Sequence, residues 1–150
     1  MVKKEPKLNL DYKKNIFSKY SIIIVIIIGI SCLIRFYYLP TEIPLTGDAL
    51  YYFWYSSDIY QIGSLPNNWT PTNNGWSIFV STFFTVFDSK DIFELMQAQR
   101  ILSTLISILI TIPVYFLCKK FVERKFAIIG ATLIAFEPRL ILNSFLGITD

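Results

Sequence analysis

Four apolar runs punctuate the chain, and polar stretches of very different character separate them. The first, SIIIVIIIGISCLI, begins abruptly after Lys19 and Tyr20. At helical rise, residues 20–38 measure roughly 28 Å, close to the hydrocarbon thickness of a bilayer, about 30 Å. The run ends in RFYYLP with no small-residue cleavage site, which predicts a spanning helix and not a signal peptide. Arg35 is expected to reach outward to the interface, beside an aromatic belt of Phe36, Tyr37 and Tyr38. The second run, Ile101 to Leu117, is entered through LMQAQR, read as a semi-polar turn, and predicts a span over about 96–117. A shorter run, GWSIFVSTFFTVF, is too brief to span and predicts a helix lying in the interface. The last, FAIIGATLIAF, reaches only about 16 Å before Glu137, Pro138 and Arg139. A third span over about 126–142 must therefore continue through EPRLILNSF with its charges, or break at Pro138 and open into a polar cleft.

Charge orients these runs. Lys3, Lys4, Lys7, Lys13, Lys14 and Lys19 precede the first span; Lys119, Lys120, Arg124 and Lys125 follow the second. The positive-inside rule puts both clusters in the cytoplasm, so two crossings separate them. Between Leu39 and Glu94 the only basic residue is Lys90, against Glu42, Asp48, Asp58, Asp88, Asp91 and Glu94. The expected architecture is an all-α integral membrane protein. A cytoplasmic basic tail (1–19) precedes three transmembrane helices, and a long external first loop (39–95) carries membrane-parallel helices. Apolar and aromatic residues make up 53% of the chain, which fits lipid as its main solvent, and nothing suggests nucleic acid as a partner.

The external loop exceeds what a connection needs, and its aromatic content argues for order. Asp48 is read as an N-cap, Gly63 as the C-terminal glycine and Pro66 as a stop, giving helices Ala49 to Ile62 and Trp76 to Phe87. Asn68-Trp69-Thr70 is a glycosylation sequon, a pattern common enough to carry little weight. The chain has no histidine, so carboxylates must carry any acid/base work. Cys32 and Cys118 lack CxxC spacing and read as packing residues. Glu137 and Arg139, two apart, do not face one another on a helix, so their charges are a site hypothesis.

These residues resemble a known family. A span ending in an arginine, the loop PLTGDALYYFWYSSDIYQIGSLP, an apolar juxtamembrane piece and AQR opening the next span are similar to the start of the GT-C membrane glycosyltransferases. The GDxxYY-type loop is most similar to the branch of protein O-mannosyltransferases and lipid A aminoarabinose transferases. The ending PRLILNSFLGITD resembles oligosaccharyltransferase catalytic subunits. The resemblance implies a polyprenyl-phosphate-linked sugar donor, a hydroxyl acceptor on a protein, lipid or glycan, and transfer on the external face. It gives Asp48 the place of the first-loop catalytic aspartate, although Ala49 stands where the mannosyltransferase branch usually has Glu. Asp150 matches the acidic residue of the later loop, with Glu137 as a further acid. A divalent cation, magnesium or manganese, would fall to Asp48 and Asp150, but a hard cation wants about six oxygens and this stretch offers few.

Asp48 suits a base that takes the acceptor's proton, and Arg139, supported by Arg35 or Arg100, suits the leaving phosphate. The plainer reading makes Asp48 a cap and Arg35 and Arg100 interface anchors. Asp58, roughly 15 Å further along the same helix, is too far to share a proton with Asp48 and reads as solvated. Since such enzymes have many more spans, the 150 residues are expected to be an amino-terminal portion, inactive alone. The alternatives are an oligosaccharyltransferase catalytic subunit acting on asparagine, or a non-catalytic membrane protein such as a transporter fragment. The single acidic loop and the lack of repeats disfavour the transporter.

Overall fold

A computed structural model describes residues 10–67, 74–87 and 89–148, with side chains over 19–67, 75–87 and 89–148. The basic tail before residue 10, the sequon, Asp88 and Asp150 lie outside the described residues. Every regular element among those described is helical: α1 Leu10–Tyr37, α2 Asp48–Ile62, α3 Asn74–Phe87, α4 Ile92–Leu109, α5 Thr111–Phe121, α6 Arg124–Ala135 and α7 Pro138–Leu146.

Among the described residues two helical stretches are long and apolar enough to cross a bilayer, Lys19–Tyr37 and Ile92–Phe121, the latter being α4 and α5 together. Pro113 explains why they are two helices: it has no N–H for the Leu109 carbonyl, and the helix yields at Ile110. The third stretch breaks. α6 and α7 meet at 42°, so of the two expected courses the chain takes the break at Pro138. Pro138 opens α7 at a position where a missing N–H costs nothing, and the Glu137 side chain accepts a hydrogen bond from Leu140 N at 2.7 Å as its N-cap.

LMQAQR, expected to be a turn, is helical. Asp91 caps α4 by accepting from Phe93 N at 2.8 Å, and the helix runs through Arg100 into the span. A turn at that point would have left Gln99 and Arg100 at the surface, whereas both are buried.

Two apolar cores hold the elements. In one, α2 and α3 pack through Phe53, Val80 and Phe84, all fully buried, onto Leu95, Ala98 and Leu102 of α4, with the Phe53 and Phe84 rings edge-on at 5.9 Å. The two loop helices are thus seated on the second span. In the other, Ala127, Ala131 and Ala135 form a stripe at four-residue spacing along α6, against which Ile24, Ile27 and Tyr115 pack. Lipid supplies no hydrophobic drive between helices, and small residues let backbones approach closely enough for contact attraction to work. Both cysteines are free, and Cys118 packs against this second core as expected.

Candidate functional site

The polar residues of α4 and α5 fall on one stripe: Gln99, Ser103, Ser107 and Thr111 recur every four residues, with Arg100 and Thr104 beside them, and all are buried. That stripe docks α7. Ser107 Oγ donates to Leu140 O at 3.2 Å, Thr104 Oγ1 to Ser144 O at 3.4 Å and Ser103 Oγ to Ile148 O at 2.6 Å, so carbonyls at residues 140, 144 and 148 are held in register. Arg100 Nε donates to Phe145 O at 2.7 Å in the last turn, where uncapped carbonyls and the negative end of the helix favour a cation.

The same stripe carries α7 to the start of the external-loop helix. Gln99 Nε2 donates to Ala49 O at 3.1 Å and to Gly147 O at 2.9 Å, joining the first turn of α2 to the turn that ends α7. Gly147 takes φ 82°, and a Cβ there would meet Leu45 Cδ2 at 3.1 Å and the Arg100 backbone at 3.6 Å, so the approach is close on both sides.

Asp48 stands at this junction. It is the first residue of α2, not its N-cap; Gly47 takes that place at φ 58°, ψ −134°, a region that side chains avoid. Asp48 makes no capping hydrogen bond, is exposed, and among the described residues engages in no ion pair. The plain capping role is therefore not what this side chain does. The other end of α2 follows expectation, with Gly63 at φ 72° donating its N–H to Ile59 O at 2.9 Å. Asp58 is half-buried rather than solvated.

Beside the Asp48 turn lies a cavity of about 300 Å³, lined by Pro40, Ile43, Pro44 and Thr46 from the loop, Leu142, Phe145 and Leu146 from α7, and Arg100. Arg100 is 2% exposed and gives Nη1 to Pro40 O and to Gln97 Oε1, and Nε to Phe145 O, so that among the described residues these three contacts leave Nη2 uncommitted. It is no interface anchor.

Neither is Arg35, which is fully buried. Its guanidinium turns inward and donates to Ser31 Oγ, to Ala135 O at 2.8 Å and to Ser107 Oγ at 3.3 Å. Arg139 is exposed at the start of α7, eight residues and so roughly 12 Å from Gly147 along the helix. Of the three arginines, Arg100 alone is brought to the Asp48 end. Glu137 is occupied as a cap at the opposite end of α7. Among the described residues no group of three acidic or thiol side chains gathers, and Asp150, the expected partner of Asp48 at a cation, lies outside them.

A family model described as oligosaccharyl transferase STT3, N-terminal, matches residues 36–150, from the end of α1 through every element of this junction. The chain belongs to the STT3 family. Comparison with curated proteins and with solved structures returns no match. An STT3-family assignment makes this an integral membrane protein of the oligosaccharyl transferase kind, with the all-helical architecture expected for the amino-terminal part of a GT-C enzyme. Sequence reasoning missed Gln99, Ser103 and Ser107 in this STT3-family fold, although their four-residue spacing was the signal that would have found them.

Proposed function

We propose that this chain is the amino-terminal part of a membrane glycosyltransferase that moves a saccharide from a polyprenyl-phosphate-linked donor, with Asp48 as the catalytic carboxylate. The observation that carries the reading is the Gln99 bridge, which brings the Asp48 turn and the Gly147 turn together beside a mostly apolar cavity containing one guanidinium. The acceptor's proton passes to the Asp48 carboxylate as the acceptor atom bonds to the anomeric carbon. The bond from that carbon to the phosphate oxygen breaks, and the phosphate leaves with the electron pair toward Arg100 Nη2. A single displacement of this kind inverts the anomeric centre. Arg139, at the far end of α7, is too distant to share that phosphate in this arrangement.

The basic clusters put the amino terminus and the α5–α6 turn in the cytoplasm, and α2 and α3 in the outer interface. The GDxxYY-type loop supports a hydroxyl acceptor, as in the O-mannosyltransferase and aminoarabinose transferase branch. The family match favours a second reading, an asparagine carboxamide on a protein. Asp48 serves either by accepting a hydrogen bond from the attacking O–H or N–H.

The test is Asp48→Asn in the full-length protein in membranes, supplied with a radiolabelled polyprenyl-phosphate sugar and with serine-bearing or asparagine-bearing peptides. Transfer is expected to fall by about 10²-fold or more at unchanged expression. Full transfer by the variant would refute the role of Asp48, and the peptide that becomes labelled decides between the acceptors.

A further inference from the structure

Arg35 sits where the third span breaks, and its contacts all converge on that break. α6 ends at Ala135, whose carbonyl has lost its helical partner because Pro138 starts a new helix at 42°. Two donors from α1 take that carbonyl: Arg35 Nη1 at 2.8 Å and Ser31 Oγ at 3.1 Å. Arg35 Nη2 reaches Ser107 Oγ at 3.3 Å, and Ser107 in turn donates to Leu140 O in the first turn of α7. One side chain thus holds the last residue of α6 and, through Ser107, the first turn of α7. Both Arg35 and Ser31 are fully buried, and no carboxylate lies among the groups Arg35 contacts.

A guanidinium inside a spanning segment is costly and by default marks a function, and the partners of this one are hydroxyls and a carbonyl, with no acid among them. What it does have is freed backbone. Irregular backbone at membrane depth survives only where something re-satisfies its polar groups. α7 begins at this clamp and ends at Gly147, beside Ala49 and next to Asp48, so the angle fixed at one end sets where the other arrives.

We infer that Arg35 is a positioning residue: it fixes the α6–α7 break and thereby the placement of the Gly147–Ile148 turn against Asp48. The inference rests on the proposed role of Asp48, and it excludes Arg35 as a ligand of the donor phosphate.

The experiment compares Arg35→Met, Arg35→Lys and Ser107→Ala in the full-length protein in phospholipid nanodiscs. Spin labels at positions 46 and 142 report the distance between the loop before Asp48 and α7. Arg35→Met is expected to broaden that distance distribution and to lower kcat at least tenfold, with KM for the donor within twofold. Arg35→Lys, which keeps one charged donor, recovers part of both. Ser107→Ala, a milder change that keeps the capping of Ala135, gives a several-fold smaller kcat effect and carries the test if Arg35→Met does not accumulate. A rise in donor KM at unchanged kcat would overturn the inference in favour of phosphate binding, and an unaltered distance distribution in all three variants would overturn it outright. Because the distance measurement needs no catalysis, it stays decisive even if Asp48→Asn proves fully active.

Discussion

Replacing Gly130 by alanine tests how tightly the α5–α6 hairpin is packed. A Cβ at Gly130 would lie 2.9 Å from Cys118 Sγ and 3.8 Å from Cys118 Cβ. The first distance is well inside normal contact and the second is ordinary, so the clash is with one atom. Cysteine has a single side-chain torsion, and the preceding helical turn excludes one of its three rotamers, leaving the sulfur little room to move aside. Forcing an extra methyl into a filled contact costs about 1–3 kcal/mol, while alanine in place of glycine inside a helix gains about 1 kcal/mol. The net expectation for Gly130→Ala is a loss of roughly 0–2 kcal/mol. In a Cys118→Ala background the obstacle is gone, and the same substitution becomes neutral or stabilising by up to about 1 kcal/mol. Thermal unfolding of the four proteins in detergent completes a double-mutant cycle with an expected coupling of about 2 kcal/mol, in the range seen for residues in contact. Equal effects of Gly130→Ala in both backgrounds would refute this account of the hairpin.

Two further outcomes follow from local geometry. Glu137→Ala removes the acceptor for Leu140 N and should lower stability by about 1 kcal/mol, whereas Glu137→Gln keeps an oxygen there and should retain stability and sugar transfer; a folded but inactive Glu137→Gln would show that the carboxylate acts as an acid. Gly47→Ala meets no neighbouring atom but must hold φ 58° with ψ −134°, so its expected cost of about 1–3 kcal/mol is all backbone, read as a lowered unfolding midpoint, and an unchanged midpoint would mean the turn before Asp48 rearranges freely.

The elements that could be read from the sequence are those whose signals are local. The first span, the α2 end at Gly63, α3 and the break at Pro138 each follow from apolar length or a terminating residue. Arg35 and Arg100 read from the sequence as interface anchors or phosphate ligands because an arginine bordering an apolar run usually reaches for water. Their acceptors lie far along the chain, at Ala135 O and Phe145 O, so only the fold reveals that they turn inward. Gly47 and not Asp48 takes the cap of α2, because the turn there needs φ 58° with ψ −134°, a conformation strained for residues with side chains. LMQAQR reads as a turn because its glutamines interrupt the hydropathy; Gln99 belongs instead to a polar stripe whose four-residue period falls within a helix that starts at Ile92.

That stripe gives a physical reason for placing a site at this junction. A helix broken within a membrane exposes carbonyls that lipid cannot satisfy, and the span that faces it must provide donors in register with the broken segment. Ser107, Thr104 and Ser103 do so for α7, at acceptors four residues apart, while Arg35 and Arg100 attend to the two ends where carbonyls are left over. A hydrophobic contact would have held α7 less definitely, since apolar surfaces slide and hydrogen bonds do not. The result is a short helix whose last turn is fixed against the first turn of α2, with the exposed Asp48 carboxylate beside it. Polar groups buried in α4 thus serve the backbone of the elements packed against it.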